Sequence, residues 1–344
     1  MAMLSIRDYR ESDQERWEAF VAACPDATFF HRIGWRQIYE QQFRHRTHYL
    51  LAERAGEVVG VLPLVQLRSV LFGHSLSSLP FAVYGGVASG DAQVIAELHE
   101  AARALAARLG AQHLELRNRH AREPSWAKQN LYVTFRKALL PTTEANMNAI
   151  PRKQRAMVRK GIQRGLTSVI DGDTARFFDL YADNQHRHGT PPHSRKYFQA
   201  LEQVFGRDCE VLTVLDAQGQ AVSSVLSFYF RDEVLPYYAG DLTAARDLAA
   251  NDFKYWELMR RAVERGLQVY DFGRSKNGTG SFDFKKNWGF EPTPLYYEYC
   301  LYGRDSVPQN NPANPRYRAA IDLWRRLPRG VVNAVGPALA RHLG

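Results

Sequence analysis

Two stretches of the chain carry the same succession of hydrophobic patterns. YLLAERAGEVVGVLPLVQ (49–66) places apolar runs on either side of Ala55-Gly56, which predicts a hairpin. SLPFAVYGG (78–86), an apolar run ending in Tyr84-Gly85-Gly86, predicts a further strand. Over 92–110 the period becomes helical: Val94, Leu98, Ala102, Leu105 and Leu109 share a face, and Gly110 ends the segment. HLELRN (113–118) closes the unit as a strand. In the second half, EVLTVLDAQGQAVSSVLSFYF (210–230) reads as a hairpin around Gln218-Gly219, and EVLPYYAGD (233–241) as a strand through Tyr238. A helix over 251–266 puts Phe253, Trp256, Met259 and Val263 on one side, and LQVYDFG (267–273) follows as a strand.

The pairs Gly85/Gly240 and Gly110/Gly266 are 155 and 156 residues apart, so the pattern predicts two copies of one α/β unit. Helical segments precede each hairpin, at 11–23 and 31–43 in the first half and at 174–186 and 194–205 in the second. Helices, an antiparallel hairpin, then strand–helix–strand resembles the element order of a GNAT-type acyltransferase domain. The expected fold class is therefore α/β (α+β), with tandem GNAT-like domains and mixed sheets. The expected division is 1–145, 146–302 and a basic tail over 303–344. The tail begins linker-like (303–315) and continues as two short helices broken at Pro328, the first with Tyr317, Ile321 and Trp324 on one side. Its arginine-rich surface predicts either docking on the N-terminal domain or peripheral contact with the inner face of a membrane.

Composition narrows the class. With 45% apolar and 24% charged residues among 344, the chain is globular rather than disordered or fibrous. Its first twenty residues are too charged for a signal peptide and no membrane-length apolar run occurs, which predicts a cytoplasmic protein. Cys24, Cys209 and Cys300 have neither disulfide nor metal-ligand spacing, and no metal is expected. The net charge of +9 is concentrated in two places: +6 over 150–166 and +5 over 303–344, leaving the rest near neutral. Such compact devices suit a diphosphate, an RNA end or a membrane surface, and argue against duplex DNA, which asks for a broad basic face.

The chemistry-bearing stretch is YDFGRSKNGTGSFDFKKNWGF (270–290). Asp271, Arg274, Lys276 and Lys285 would gather beyond the end of a strand, where open α/β sheets hold ligands. Lys285, between Phe284 and Trp288, would be partly desolvated and so act strongly on a developing negative charge. Asp271 could orient Lys285 or Arg274, accept a proton, or cap the following loop; Arg274 and Lys276 suit an anionic head group. On the 150–166 helix, Arg152, Arg155 and Arg159 share a side and could grip phosphates. His186, Arg187, His188 and Arg195 flank a loop, 189–193, that would face substrate; His188 lacks an evident carboxylate partner as a base.

The run from Asn251 through Tyr255-Trp256-Glu257, Asp271-Phe272-Gly273-Arg274-Ser275, Phe284-Lys285 and Trp288-Gly289 resembles the C-terminal domain of the FemAB family. Tyr84-Gly85-Gly86, Trp35 and the basic helix extend the resemblance over about 25–302, and the tail is similar to an exosortase/PEP-CTERM-associated exopolysaccharide branch. The resemblance implies an aminoacyl- or acyltransferase that forms an amide on a cell-envelope precursor, peptidoglycan-like or exopolysaccharide. It implies aminoacyl-tRNA or another activated acyl group as donor, no bound cofactor, and an anionic diphosphate- or nucleotide-linked acceptor. It places Phe284 and Lys285 at the reaction centre and adds Tyr84, Tyr238, Asn251 and Trp35 as substrate-binding candidates. Acetyl-CoA is disfavoured, because 246–251 (RDLAAN) lacks the glycines that let backbone amides cradle a pyrophosphate. The alternatives are an acetyl-CoA-dependent N-acetyltransferase of an amino sugar and a non-catalytic GNAT-like module of a polysaccharide-assembly complex.

Overall fold

The computed structural model of the protein describes residues 3–69, 73–308 and 318–342. It forms two compact units. In the first, β1 (Leu4–Asp8), α1 (Gln14–Ala23) and α2 (Gly34–Gln42) precede the hairpin β2 (Arg46–Arg54) and β3 (Glu57–Ser69). β4 (Gly73–Ser77), α3 (Ala92–Arg108) and β5 (His113–Asn118) make its strand–helix–strand element, followed by a short β6 (Ala127–Gln129). The second unit opens with β7 (Tyr132–Ala138), α4 (Thr143–Ala149), α5 (Arg152–Gln163) and β8 (Thr167–Asp171). Helices α6 (Ala175–His188) and α7 (Arg195–Phe205) lead into β9 (Cys209–Leu215) and β10 (Ala221–Phe230). Then come β11 (Glu233–Asp241), α8 (Ala250–Glu264), β12 (Val269–Lys276), α9 (Gly280–Asn287) and β13 (Pro292–Pro294). β14 (Tyr296–Leu301) joins the first unit, and the tail forms α10 (Arg318–Arg326) and α11 (Arg329–Ala340).

The two seven-stranded sheets run β1-β2-β3-β4-β5-β14-β6 and β8-β9-β10-β11-β12-β7-β13. Each mixes antiparallel pairs with one parallel pair that a helix bridges, β4–β5 and β11–β12. The repeat read from the sequence is thus a repeat of sheets, but the division differs from a linear one at 145/146. β7, whose Val133 and Phe135 enter the second core, pairs antiparallel with β12, while β14 pairs antiparallel with β5. The chain leaves the first unit after Leu131 and returns to it at Pro294.

One predicted strand is absent. Residues 78–86 run irregularly, with Leu79 and Phe81 at φ +58° and +72°, and the strand of that position is the earlier β4. Pro80 has no N–H for a ladder, and the N–H groups of Gly85 and Gly86 both donate to the Arg117 carbonyl. Gly86 allows this approach, since a Cβ there would lie 1.8 Å from Asn118 Oδ1.

In the first core, α3 sets Val94, Leu98, Ala102 and Leu105 against Leu62, Leu64 and Leu114. In the second, α8 sets Phe253, Trp256, Met259 and Ala262 against Val225, Tyr229 and Tyr270. Fully burying one such large side chain stabilises by roughly 1.5–3 kcal/mol, so these helical faces hold the units together. The tail packs on α6 of the second unit: Ile321 lies over Gly189, and Gly336 against Pro192. Tyr317, expected on that face, lies outside the described residues.

Candidate functional site

The second unit's parallel pair is short. β11 and β12 register only at Glu233↔Val269 and Val234↔Tyr270. On its other side, β12 loses register with β7 between Asp271 and Arg274, and Gly273 takes φ +64°. This bulge turns three successive carbonyls toward one point. Lys285 Nζ occupies it, donating to the carbonyls of Phe272, Gly273 and Arg274 at 2.7, 3.2 and 2.9 Å.

Lys285 reaches that point because the glycine-rich segment after β12, which reads as a loop in the sequence, becomes helix α9. Thr279 caps it, accepting from the Phe282 N–H, and Asp283 sits in its first turn. Phe284 packs against Tyr255 and Trp288, with ring centroids 5.5 and 5.9 Å away. Trp288 is anchored by its indole N–H to Asp252 Oδ1 at 2.9 Å. Phe135 and Phe272 lie 5.7 and 5.9 Å from the ammonium. Burial among these rings drives the Lys285 pKa down to about 7, opposed by Asp271 and assisted by Arg274.

Asp271 is fully buried and faces protein groups. It accepts from Arg136 at 2.6 Å and from the Gly273 N–H at 2.8 Å, so it ties the bulge to β7. Arg136, which also pairs with Glu233, escaped the sequence reading because β7 was assigned to the other domain. Its alternation with Phe135 in YVTFRKA was the available signal. Arg274 stacks 4.7 Å over the Tyr132 ring, and the Lys276 carbonyl accepts from the Thr279 hydroxyl.

The other candidates divide by unit. Arg152, Arg155 and Arg159 lie on α5, which packs on α8 with Gly161 against Phe253; Arg155 bonds the Asn148 carbonyl, while Arg152 and Arg159 are exposed. Asn251 is in the first turn of α8. Tyr238 sits at the end of β11 with its hydroxyl 2.8 Å from that of Tyr197. Beside them His193 is half-buried, and desolvation among the neighbouring rings pushes its pKa down to about 4. Neither Tyr197 nor His193 was singled out from sequence as a site residue. Arg195 is engaged structurally, pairing with Asp179 at 2.6 Å and lying over Phe178. His188, the weak base candidate, is exposed, and its carbonyl accepts from Arg325.

In the first unit Trp35 is a core residue against Phe29, Phe30 and Tyr39. Tyr84 lies under Arg119 and lines a small cavity with His31, Gly86, Arg117, His120 and Arg122. Among the described residues no cluster of His, Cys, Asp and Glu could hold a metal ion.

Two sheets of this order, each with a bridged parallel pair, define a tandem GNAT fold. A model of the GNAT acetyltransferase domain matches residues 152–286. The structure is similar to the crystal structure of FemX, with a TM-score of 0.67 at 15% identity, covering 85% of this chain and 97% of that one. A tandem GNAT protein from the clavulanic acid biosynthesis pathway gives 0.58 at 12% identity, over 88% and 100%. In sequence the chain is homologous to the UDP-N-acetylmuramoylpentapeptide-lysine N(6)-alanyltransferase of Weissella viridescens, 22% identical over 137 residues. That match spans 39% of this chain and about two fifths of the relative. The FemAB resemblance and the tandem GNAT fold expected from sequence are both borne out.

Proposed function

We propose that the protein is an acyltransferase that moves an aminoacyl group onto an amino group of an anionic, nucleotide- or diphosphate-linked envelope precursor. The supporting observation is the desolvated Lys285 ammonium held on the bulge of β12. The alanyltransferase relative supports a peptidoglycan-type acceptor, and the resemblance to FemAB proteins supports aminoacyl-tRNA as donor. An exopolysaccharide precursor is the other acceptor of the same chemistry. The enzyme would work in the cytoplasm, where such donors are made.

In the reaction, the amine lone pair forms a C–N bond to the donor's ester carbonyl while the π pair moves onto oxygen. Of the three Lys285 hydrogen bonds, the one to Gly273 is longest at 3.2 Å. Exchanging it for the new oxyanion would keep two carbonyl anchors while the ammonium meets the developing charge. Collapse then breaks the C–O bond, and the departing alkoxide takes the proton the amine has lost. Phe135 and Phe272 flank the ammonium, and Arg274 and Lys276, on the same strand as the bulge, are the candidates for an anionic head group. The exposed Arg152 and Arg159 supply further positive charge on α5. Acetyl-CoA fits less well: Ala249 and Ala250, at the start of α8, are buried where a pyrophosphate would need open amides.

With aminoacyl-tRNA and a nucleotide-linked muropeptide, the full chain should yield a product heavier by one aminoacyl residue by mass spectrometry. Lys285→Met should slow the transfer about 100- to 1000-fold while the protein still melts cooperatively. An undiminished rate would remove Lys285 from the reaction, and acetylation from acetyl-CoA alone would establish the N-acetyltransferase reading instead.

A further inference from the structure

We infer that the tail helices α10 and α11 present a docking surface for an anionic membrane. Eight large apolar side chains stand well open to water among the described residues, and four of them lie here: Leu323 (63% exposed), Val331 (43%), Val335 (46%) and Leu339 (38%). The other four, Met3, Leu140, Ile162 and Ile170, are scattered along the chain.

On α11 the pattern is two-sided. Val332, Gly336 and Ala340 form one row, buried toward α6, so the helix is already seated on its own unit. Val331, Val335 and Leu339 form a second row a third of a turn away, at the same four-residue spacing, and face water. Between Arg329 and Arg341 the only polar side chain is Asn333. A helix apolar on nearly all sides is ordinarily enclosed, and this one is enclosed on one side only.

The charges around it indicate what covers the other side. Arg325 and Arg329 remain about half or more exposed even while Arg325 lies near Asp322 and Arg329 pairs with Asp183. Arg326 is exposed beside them, and Asp322 is the one acid of the two helices. A short apolar row bordered by arginines complements the acyl boundary and phosphates of an anionic leaflet. At twelve residues α11 is about 18 Å long, too short to cross a bilayer core and suited to lying in its plane. Among the described residues no helix is long and apolar enough to span a membrane. A second copy of the chain is a poorer occupant, because four side chains expose a few hundred Å², short of the roughly 800 Å² per partner of a stable interface.

The test is sedimentation of the full chain with vesicles of phosphatidylcholine alone and of phosphatidylcholine with phosphatidylglycerol. The protein should pellet with the anionic vesicles, less so as salt is raised, and remain in solution with the neutral ones. Val335→Asp together with Leu339→Asp should lower the bound fraction about tenfold or more. Both positions face water, so circular dichroism should give an unchanged melt, and a variant at the most exposed of the four positions, Leu323→Ser, serves if it does not. Equal pelleting of the variants, or no pelleting with anionic vesicles, overturns the inference. So does a concentration-dependent dimer that the same substitutions dissolve, which would make a second copy the occupant.

Discussion

In the first unit the parallel pair β4–β5 continues to Ser77↔Glu115, and the irregular segment 78–86 then runs over β5. Arg117 closes that region: it bonds Glu115 at 3.0 Å, the Ala82 carbonyl at 2.9 Å, and lies over the Tyr297 ring. In the second unit β11 and β12 separate after Val234↔Tyr270. The residue 156 positions on from Glu115 is Asp271, which keeps an arginine partner, but the residue 156 on from Arg117 is Gly273. Where the first sheet has a guanidinium neutralised by a carboxylate, the second has three backbone carbonyls that accept from the Lys285 ammonium. The first charge is committed to an ion pair within the fold; the second is held by backbone carbonyls and has no direct carboxylate contact among the described residues.

The largest effect should come from breaking the first arrangement. Arg117→Ala leaves Glu115 buried without its cation and the Ala82 carbonyl unmatched, which should cost about 3–5 kcal/mol in chemical denaturation. Burial works against the Glu115 carboxylate, and Arg117 holds its pKa below the ordinary value all the same. Lys285→Met should cost far less stability at neutral pH, because Asp271 retains Arg136. If the two variants lose comparable stability, the distinction between a structural and a reactive charge fails.

Lys285 sharpens the contrast through pH. Its folded pKa is near 7 and its ordinary value 10.5, so between these the unfolded chain holds more protons than the folded one. Stability therefore rises with pH across that window and is flat, with the burial penalty fully expressed, below it. The slope contributed should be at most about 1.4 kcal/mol per pH unit. Denaturation of wild type and Lys285→Met at pH 7 to 10 should show wild type gaining stability relative to the variant as pH rises, so that the two curves draw apart. Parallel curves would mean that the ammonium is not desolvated. No such slope is expected from Arg117, whose pKa is raised further above the range.

How far these features could be read beforehand follows from how local their causes are. The duplication was legible because each hairpin, helix and Gly stop writes its own short period. Lys285, Phe284 and Trp288 were legible as a group because they fall within one turn of each other. The clamp on Lys285 was not, since it depends on a bulge that exists only when β7 lies beside β12, a pairing between residues 131 to 144 positions apart in sequence. The same non-local pairing hid Arg136. By contrast α9 had a local signal, Thr279 ahead of Phe282 with Asp283 following, which the flanking glycines obscured.

The smallest effect contrasts the two bridging helices at their first residues. Asp91 begins α3 and accepts from the Gln93 and Val94 N–H groups. At the equivalent place in α8 stands Ala249, with no side-chain cap and a left-handed backbone, φ +59°. Asp91→Ala should lower the melting temperature slightly, the direction expected from losing a cap. Ala249→Gly should act in the opposite direction: it relieves the Cβ strain of the left-handed conformation, which is about 1 kcal/mol, and returns part of that through a more flexible unfolded chain. A net gain of about 0.5 kcal/mol in thermal denaturation is expected. A loss instead would mean that the buried Ala249 methyl contributes more by packing than its backbone costs, and that the start of α8 is shaped by the core around it rather than left uncapped.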